Sequence, residues 1–421
     1  MEQHLHAPSS ELEFFRMTSK VIAMIREGHT DISPSISLIE RRKEQHLFPF
    51  DVWLMDDRLV VRAARDPQYE ALIGAEITQI NHRPVRSLLH EMGLLIPGNS
   101  GKNNYQSLKA TLSLYNNFAQ AYYYYIDTSS TFSLEYQREG SHTITQVNGV
   151  VSAANGDVYP KLPAEQDVPV ITELHQEDNY ALIKITTFAW WTGSFSIKAY
   201  KKAFKAFFKE VEALGISNLI VDVRNNRGGE ELIGLDLLSY LIPYAFQPYD
   251  SIRTRAINFS SLESLPDFEG RLKFKSTEFE PTDDGYYKKN DPILEKVKPK
   301  TKHFFNGSVY VLGNGRSWSA ASTFLTWTKT HFAGTFIGQE GGGAFDMVDG
   351  RYKVRFTLPY SGLHVSYPVW SMMLNAKNGD PTRGAMPDIV IERTPEQLLD
   401  GTDAVLEYTL RKIEATKGIK P

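Results

Sequence analysis

Cysteine is absent from the 421 residues, and this absence excludes disulfides, a cysteine nucleophile and zinc sites built on thiolates. Long apolar runs are missing too. The sequence contains no run of about 18 apolar residues, so we expect no transmembrane helix. A basic surplus is also lacking, since the formal net charge is −4 and the pI is near 6.3. We therefore expect neither nucleic acid nor an anionic membrane as a partner, because both require clustered basic side chains.

The amino-terminal sequence MEQHLHAPSSELEFF lacks the basic and then apolar pattern of a signal peptide. Either the protein stays in the cytoplasm or the sequence is that of a mature form, and composition does not choose between them. Hydrophobic residues make up 42% of the chain and charged residues 23%. These fractions are typical of a folded protein, and the length allows two or three domains. Composition gives no indication of the oligomeric state.

The amino-terminal part of the chain is predicted to contain a helical segment and a β module. Apolar residues recur at helical spacing over residues 11–27, which predicts a helix with Ser10 as its N-cap. His29 follows this helix, and we assign residues 1–45 to the helical segment. Short alternating runs separated by turns then predict a compact β module over residues 46–150.

The rest of the chain, residues 165–421, alternates strands and helices, which predicts an α/β layered domain. Strands are predicted at 181–186, 218–223, 309–312 and 335–338, and helices at 197–214, 231–241 and 320–330. The polar stretch at 153–169 is interpreted as a linker. The segment 246–305 is rich in Pro, Asp, Lys and Tyr, and we interpret it as a surface insertion.

The first chemical motif is LIVDVRNNRGGEE at 219–231, where an apolar strand meets Gly228 and Gly229 before a helix. Paired glycines at such a corner let the backbone approach closely, and their amides can hold an anion or a developing oxyanion. A plain tight turn is the alternative explanation.

The second motif is VYVLGNGRSWSAASTFLTWTKTHF at 309–332, where a strand ends and Ser317, Ser319 and Ser322 open a helix. A serine at this corner can act as a nucleophile, with the amide of Ala320 helping to hold the oxyanion. The alternative is that Ser317 or Ser319 only caps the helix. A third strand that enters a glycine run, FIGQEGGGAF at 336–345, weakens that alternative.

Taken in order, DVRNNRGG, SWSAAS, FIGQEGGG and RGAMPDIVIE resemble the core of the C-terminal processing (tail-specific) serine peptidases, a family that includes the tricorn-core peptidases. LIGAEITQINHRPV at 72–85 resembles the signature of that family's PDZ-like module. The resemblance spans most of residues 10–415. It implies an α/β, crotonase-like (ClpP/crotonase) peptidase domain with a PDZ-like β module that binds an extended peptide. It also implies a peptide or protein substrate, no cofactor, and a periplasmic or extracellular location.

By this resemblance, Ser319 is the nucleophile, and Ala320 and Gly229 supply the oxyanion-hole amides, with Gly228 as the neighbouring possibility. The processing peptidases use a lysine as general base, but this sequence has Ala344 at that place. The Ser/Lys dyad is therefore absent, and an active Ser319 needs another base.

The tricorn-like branch takes its base from a histidine before the PDZ-like module, and that position is His29. An imidazole, with an ordinary pKa of about 6.5, can accept the serine proton at neutral pH. Gly28 replaces the serine that precedes this histidine in the branch, so another group must orient the imidazole. Asp380 and Glu340 are the acidic candidates, although either can equally be a solvated loop residue. The remaining histidines lack metal-ligand spacing, and we expect no catalytic metal.

Two other functions remain open. The resembling family includes retinoid-binding relatives, and the aromatic runs Tyr122–Tyr125 and Trp190–Trp191 would suit a non-catalytic protein that binds an apolar ligand or peptide. Large aromatic residues are more often part of a core. A crotonase-like acyl-CoA enzyme is the third possibility, but the serine and paired-glycine pattern does not favour it.

Overall fold

The computed structural model of the protein describes residues 10–55, 57–98, 118–151, 168–189, 195–269 and 275–416. Within these residues the α-helices are α1 (Glu11–Ala23), α2 (Ile36–Lys43), α3 (Val85–Gly93), α4 (Phe118–Tyr125), α5 (Ile197–Ala213), α6 (Glu231–Leu238), α7 (Ala320–His331), α8 (Pro395–Leu399) and α9 (Ala404–Thr416). None of the helices in these ranges has both the length and the apolar character needed to cross a bilayer.

The strands in the same ranges are β1 (Asp31–Ser33), β2 (His46–Leu47), β3 (Phe50–Met55), β4 (Arg58–Ala64), β5 (Glu76–Ile80), β6 (Arg83–Pro84), β7 (Thr131–Arg138), β8 (Ser141–Asn148), β9 (Val150–Val151), β10 (Val170–His175), β11 (Tyr180–Ile185), β12 (Asn218–Asp222), β13 (Tyr249–Thr254), β14 (Phe279–Pro281), β15 (Tyr287–Lys289), β16 (Ser308–Gly313), β17 (Thr335–Gly338), β18 (Met347–Asp349), β19 (Lys353–Thr357), β20 (His364–Pro368), β21 (Ser371–Leu374) and β22 (Ile389–Val390).

The chain forms two compact units of mixed helix and sheet. The first unit comprises Met1–Pro160, Asn258–Leu272 and Arg351–Pro368, and the second comprises Lys161–Ile257, Lys273–Gly350 and Val369–Pro421. The three-part division made from the sequence stays a prediction, as do the PDZ-like and crotonase-like assignments. Most of the predicted linker, 153–169, lies outside the described residues.

The first unit contains an antiparallel sheet in the order β3-β4-β5-β7-β8, with β6 paired to β5, and a smaller sheet in the order β1-β20-β19. Helix α1 begins as predicted, because the Ser10 side chain accepts a hydrogen bond from the amide of Glu13 at 3.2 Å. It ends earlier than predicted, at Ala23 rather than residue 27. Arg26 has a left-handed φ of 56°, which a continuing helix does not allow.

The second unit is built on a six-stranded sheet in the order β10-β11-β12-β16-β17-β22. From β11 onwards the neighbours are parallel, and all five residues of β12 are buried, as expected for a central parallel strand. The α/β alternation predicted from the sequence is confirmed. Helix α5 shows why it packs, since it buries one face at helical spacing: Tyr200, Phe204, Phe207, Phe208 and Val211. Each such side chain contributes about 1.5–3 kcal/mol.

The segment interpreted as a surface insertion, 246–305, takes part in regular structure. It supplies β13, β14 and β15 to a five-stranded antiparallel sheet in the order β14-β15-β13-β21-β18. The partners β18 and β21 follow much later in the chain. Strand β13 has its distant partner in β21, and β14 and β15 are only three residues long. Such strands leave no clear local pattern, and this explains why the sequence alone did not predict them.

Candidate active site

Ser319 lies at the junction between β16 and α7, on a turn with an unusual backbone. Its φ is 52° and its ψ is −125°. These angles belong to the first central position of a type II′ turn, which glycine normally occupies. A non-glycine residue in such a conformation is strained by about 1–3 kcal/mol. A strained strand-to-helix turn is also the geometry that exposes the nucleophile of the α/β-hydrolases.

The hydroxyls of the two neighbouring serines, Ser317 and Ser322, form hydrogen bonds with main-chain groups. Ser317 Oγ donates to the carbonyl of Val223 at 2.8 Å and accepts from the amide of Asn314 at 3.1 Å. Ser322 Oγ donates to the carbonyl of Ser319 at 2.8 Å. Both side chains are buried. Their hydroxyls therefore hold the turn and the first turn of α7 in place.

Gly228 lies directly against the turn of Ser319. A Cβ atom added at Gly228 would lie 2.6 Å from the carbonyl oxygen of Trp318, 2.7 Å from Ser319 Cβ and 2.9 Å from the amide nitrogen of Ala320. The φ of Gly228 is also +90°, a value that L side chains rarely adopt. Only glycine fits at this position without moving the turn.

Gly229 is the better placed of the two glycines to offer an amide. Gly229 forms a parallel bridge with Phe188. The hydrogen bonds of this bridge are made by Gly228 and Glu230, the residues on either side. The amide of Gly229 itself therefore points away from Phe188. The amide of Gly228, by contrast, donates to Asn226 Oδ1 at 2.9 Å. Ala320 is the first residue of α7, and an amide at that position has no partner inside its own helix.

The third glycine motif packs against the same turn. The amide of Gly342 donates to the carbonyl of Ser317 at 3.0 Å. Asn314 connects the first two motifs, because its Nδ2 donates to Asn225 Oδ1 at 3.1 Å and its Oδ1 accepts from the Asn225 amide at 3.1 Å. The second unit thus brings the three motifs together at the carboxyl ends of its parallel strands, where open α/β sheets hold their ligands.

The acidic candidates Glu340 and Asp380 both accept hydrogen bonds from residues of the segment 382–384. Glu340 accepts from Arg383 Nε at 3.2 Å and from the amide of Gly384 at 2.8 Å, and its side chain is only 8% exposed. Asp380 Oδ1 accepts from the amide of Thr382 at 2.8 Å and from its hydroxyl at 2.6 Å. Their predicted role in orienting His29 stays a prediction.

The carboxylate in contact with His29 is that of Glu27. Glu27 Oε1 lies 3.1 Å from His29 Nδ1 and accepts from the His29 amide at 2.8 Å. Glu27 Oε2 accepts from Thr30 Oγ1 at 2.8 Å. The side chains of His29 and Glu27 are only 10% and 12% exposed. Strand β1 begins just after this group and pairs with β20, which anchors the loop to its sheet.

Glu27 stays ionised in this buried position. Burial alone would raise the pKa of Glu27, but hydrogen bonds from His29, the charge of His29 when its ring is protonated, and a further hydrogen bond from Thr30 hold it below its ordinary value. A carboxylate at Nδ1 favours the tautomer that carries its proton there, which leaves Nε2 as the proton acceptor.

Sequence reasoning missed Glu27. The available signal was the tetrapeptide Glu27–Thr30, in which an acid accepts from the amide two residues ahead and from the hydroxyl one residue further on. Helical periodicity hid this signal, because it extended the predicted helix over Glu27.

His29 and Glu27 belong to the first unit, whereas Ser319 and its glycines belong to the second. In the described ranges, no group of acidic and histidine side chains is arranged to hold a metal ion.

A strained serine at the start of a helix, beside paired glycines, is an arrangement typical of serine hydrolases of mixed α/β fold. The family model "Peptidase family S41" matches residues 179–391. This match covers half of the chain and includes all three glycine and serine motifs. The chain therefore belongs to peptidase family S41, in agreement with the resemblance drawn from the sequence, and it is a serine peptidase.

Two solved structures of CPAF agree with this fold. Mature CPAF matches with a TM-score of 0.62 and 15% identity, over 97% of this chain and 89% of CPAF. Mature CPAF complexed with lactacystin matches with a TM-score of 0.61 and 16% identity, over the same fractions of the two chains. The photosystem II D1 C-terminal processing protease has a TM-score of 0.38 and 13% identity, over 94% of this chain and 88% of that one. No curated protein matches this chain.

Proposed function

We propose that the protein is an endopeptidase that cleaves peptide bonds through an acyl-enzyme on Ser319, with His29 as the general base. The observation that carries the proposal is the strained conformation of Ser319 against Gly228, since a serine that only capped α7 would not need it. In the same proposal the second unit is a crotonase-like peptidase domain, and the β module of residues 46–150 is a PDZ-like peptide-binding module.

The proposed reaction begins when Ser319 Oγ attacks the scissile carbonyl while His29 Nε2 removes its proton. The oxyanion that forms is held by the amides of Gly229 and Ala320. The tetrahedral intermediate then collapses, and the leaving amine takes the proton from the imidazolium. Water repeats the sequence on the acyl-enzyme, which releases the acid product and restores the serine.

Glu27 takes the role of orienting group in this proposal. Its carboxylate contacts both the amide and Nδ1 of His29, so it fixes the ring orientation and stabilises the imidazolium that forms during the reaction. Asp380 and Glu340 remain the alternatives derived from the sequence.

The alternative function, a non-catalytic protein that binds an apolar ligand or peptide, has little support in the structure. Its aromatic cleft relied partly on Tyr122–Tyr125, and Tyr122, Tyr123 and Tyr124 are buried within the core of the first unit. The other run, Trp190–Trp191, lies outside the described residues.

The test is labelling by a fluorophosphonate probe, followed by peptide mapping. We expect the label on Ser319 and no label in Ser319→Ala, while Ser317→Ala still reacts. His29→Ala should lower kcat by several orders of magnitude and change KM much less, because the imidazole acts mainly in the transition state. Lactacystin, which CPAF binds in a solved complex, serves as a second probe.

Glu27→Gln is the variant that separates the orienting role from a structural one. It keeps the size of the side chain but removes its charge, so we expect a smaller fall in kcat than for His29→Ala and an unchanged fold. If the wild-type protein takes up no label and cleaves no peptide, the endopeptidase proposal is wrong. If it is active but His29→Ala keeps full kcat, only the identity of the base is wrong.

A further inference from the structure

A row of lysine side chains runs along the exposed side of helix α5 in the second unit. Five of the 17 residues of this helix are lysines, and all five are exposed. An α-helix turns by about 100° and rises by about 1.5 Å per residue, so these lysines lie within an arc of about 100° over a length of about 17 Å. This lysine row consists of Lys198, Lys201, Lys202, Lys205 and Lys209.

The apolar side of α5 is not available to a partner. Its aromatic side chains and Val211 are buried in the second unit, so the helix cannot turn this side outwards without losing that burial. The exposed side carries no arginine, asparagine, glutamine or aromatic residue. What α5 offers to a partner is therefore a line of ammonium groups.

The acidic side chains of α5 lie near its carboxyl end. Glu212 falls within the arc of the lysine row, but its carboxylate contacts His303 Nδ1 at 2.5 Å. Glu210 is exposed and lies about 80° outside the arc. Among the residues that the structure describes, none of the five lysines forms an ion pair or a side-chain hydrogen bond.

The acidic residues on the two elements that pack against α5 have other surroundings. These elements are β10 and α6. On β10, Glu173 Oε2 lies 3.0 Å from His175 Nε2. On α6, Asp236 accepts from Lys300 Nζ at 2.7 Å, and Glu231 is buried. These carboxylates therefore do not neutralise the lysine row.

Three further acidic residues lie in the segments that flank these elements. Glu230 caps the start of α6. Glu177 and Asp178 belong to the turn before β11, and Asn179 of that turn contacts Ser217, which lies beyond the carboxyl end of α5. The acidic residues thus gather towards the carboxyl end of α5, and the positive charge is concentrated on its first three turns.

The lysine row is electrostatically unfavourable for the helix that carries it. Three pairs of its lysines are spaced i,i+4, and like charges at this spacing destabilise a helix. Lys198 also lies in the first turn, where the positive end of the helix dipole opposes a cation and no acidic residue compensates it. An anionic partner would remove both costs.

The chemistry of the row favours a lipid surface over a nucleic acid. Lysine is a hydrated point charge, whereas arginine has a planar fork that recognises a single phosphate in a fixed geometry. Recognition of bases further uses arginine, asparagine, glutamine or stacked aromatic residues, and the exposed side of α5 has none of these. A line of point charges instead fits a surface whose anionic headgroups can move to meet it.

We propose that the lysine row of α5 docks the protein on an anionic lipid surface, with the helix axis parallel to that surface. Attachment is peripheral and electrostatic, because the apolar side of the helix stays buried. The net charge of −4 is a sum over the whole chain and does not show where the charges lie. The lysine row therefore revises the expectation, drawn from that sum, that an anionic membrane is not a partner.

The test is co-sedimentation of the full chain with lipid vesicles. One set contains phosphatidylcholine with about 30% phosphatidylserine, and the blank set contains phosphatidylcholine alone. We expect binding to the first set, release by about 0.5 M potassium chloride, and no binding to the blank. Each lysine near an anionic surface strengthens binding about fivefold, so Lys201→Gln combined with Lys205→Gln should weaken it about 25-fold.

Two double variants are the matched controls. Lys201→Arg with Lys205→Arg keeps the charge of the row and should bind like the wild type. Arg411→Gln with Lys412→Gln removes the same charge from α9, which packs in a separate apolar cluster with Leu182 and Ile220, and it should also bind like the wild type. Thermal melts of the α5 glutamine variant should equal or exceed those of the wild type, because like-charge repulsion is relieved.

The proposal is overturned if the protein binds neither vesicle set or both equally, or if the α5 glutamine variant binds as tightly as the α9 variant. A short DNA duplex is the competing ligand. Binding of the duplex that depends on Lys201 and Lys205, without binding to vesicles, would also overturn the proposal in favour of a nucleic acid. Since no readout uses peptidase activity, failure of this surface is distinguishable from failure of the proposed function.

Discussion

Replacing Gly228 by alanine tests the geometry of the active-site turn most directly. The new Cβ would lie 2.6–2.9 Å from Trp318, Ser319 and Ala320, which is closer than real Cβ contacts. The φ of +90° adds backbone strain of roughly 1–2 kcal/mol for an L side chain. Because all three neighbours belong to the turn of Ser319, that turn must move to accommodate the methyl group.

The strain and the displacement have separable effects. Each kcal/mol lowers the Tm of a domain of this size by about 2–4 °C. A shift of the nucleophile by about 1 Å can lower the rate about 100-fold. We therefore expect Gly228→Ala to lose a few degrees of Tm but most of its kcat/KM and its rate of fluorophosphonate labelling.

Gly285→Ala is the matched control for this prediction. Gly285 belongs to the same unit and has a φ of +79°, but a Cβ there would meet no atom within 4 Å. It should therefore lose similar stability and keep full activity. If Gly228→Ala and Gly285→Ala have the same kcat/KM, the close packing of Gly228 on the turn of Ser319 is not what the enzyme needs, and the reasoning fails.

Three further predictions concern side chains. Ser317→Ala should lose about 1–3 kcal/mol of unfolding free energy in urea titrations and keep measurable turnover, because it removes the hydrogen bonds of the buried Ser317 hydroxyl with the Val223 carbonyl and the Asn314 amide; a dead Ser317→Ala with an active Ser319→Ala would move the nucleophile by two positions. Glu27 has a folded pKa below its ordinary 4.5, so its stabilisation is present at neutral pH and is lost as the pH falls through the folded pKa. Thermal melts across acidic pH should consequently show a shallower loss of Tm in Glu27→Gln than in the wild type, and equal slopes would contradict the assignment. Glu340→Gln should lower the Tm by weakening the contacts with Arg383 and Gly384 while kcat persists; a collapse of kcat at unchanged Tm would instead support Glu340 as an orienting acid.

The sequence predicted most of what depends on near neighbours in the chain. The Ser10 cap, helix α5 and the strands that precede each glycine motif follow from periodicity and capping, and the structure confirms them. The convergence of the three motifs was also predictable, because successive parallel strands end at the same edge of a sheet.

Features that depend on distant partners were not predictable from local patterns. Arg224 and Asp403 are 179 residues apart in the sequence, and nothing near either residue indicates their pairing. Strand β13, from the segment 246–305, pairs in the same way with β21, which lies more than 100 residues later in the chain. Glu27 is different, since its partner His29 is only two residues away. The helical spacing of apolar residues predicted a helix over Glu27, so the loop in which Glu27 contacts His29 was not recognised.

The strain at Ser319 has an evolutionary consequence. A glycine at this position would adopt the same backbone angles freely, so Ser319→Gly should fold more stably than the natural protein even though it cannot form an acyl-enzyme. If selection acted only on folding stability, random substitution would therefore replace the serine at position 319 by glycine over time. A lineage that had lost catalysis and kept only binding would have no reason to retain the less stable residue. Under the proposed function, the serine at position 319 is thus kept for its chemistry at a cost in stability.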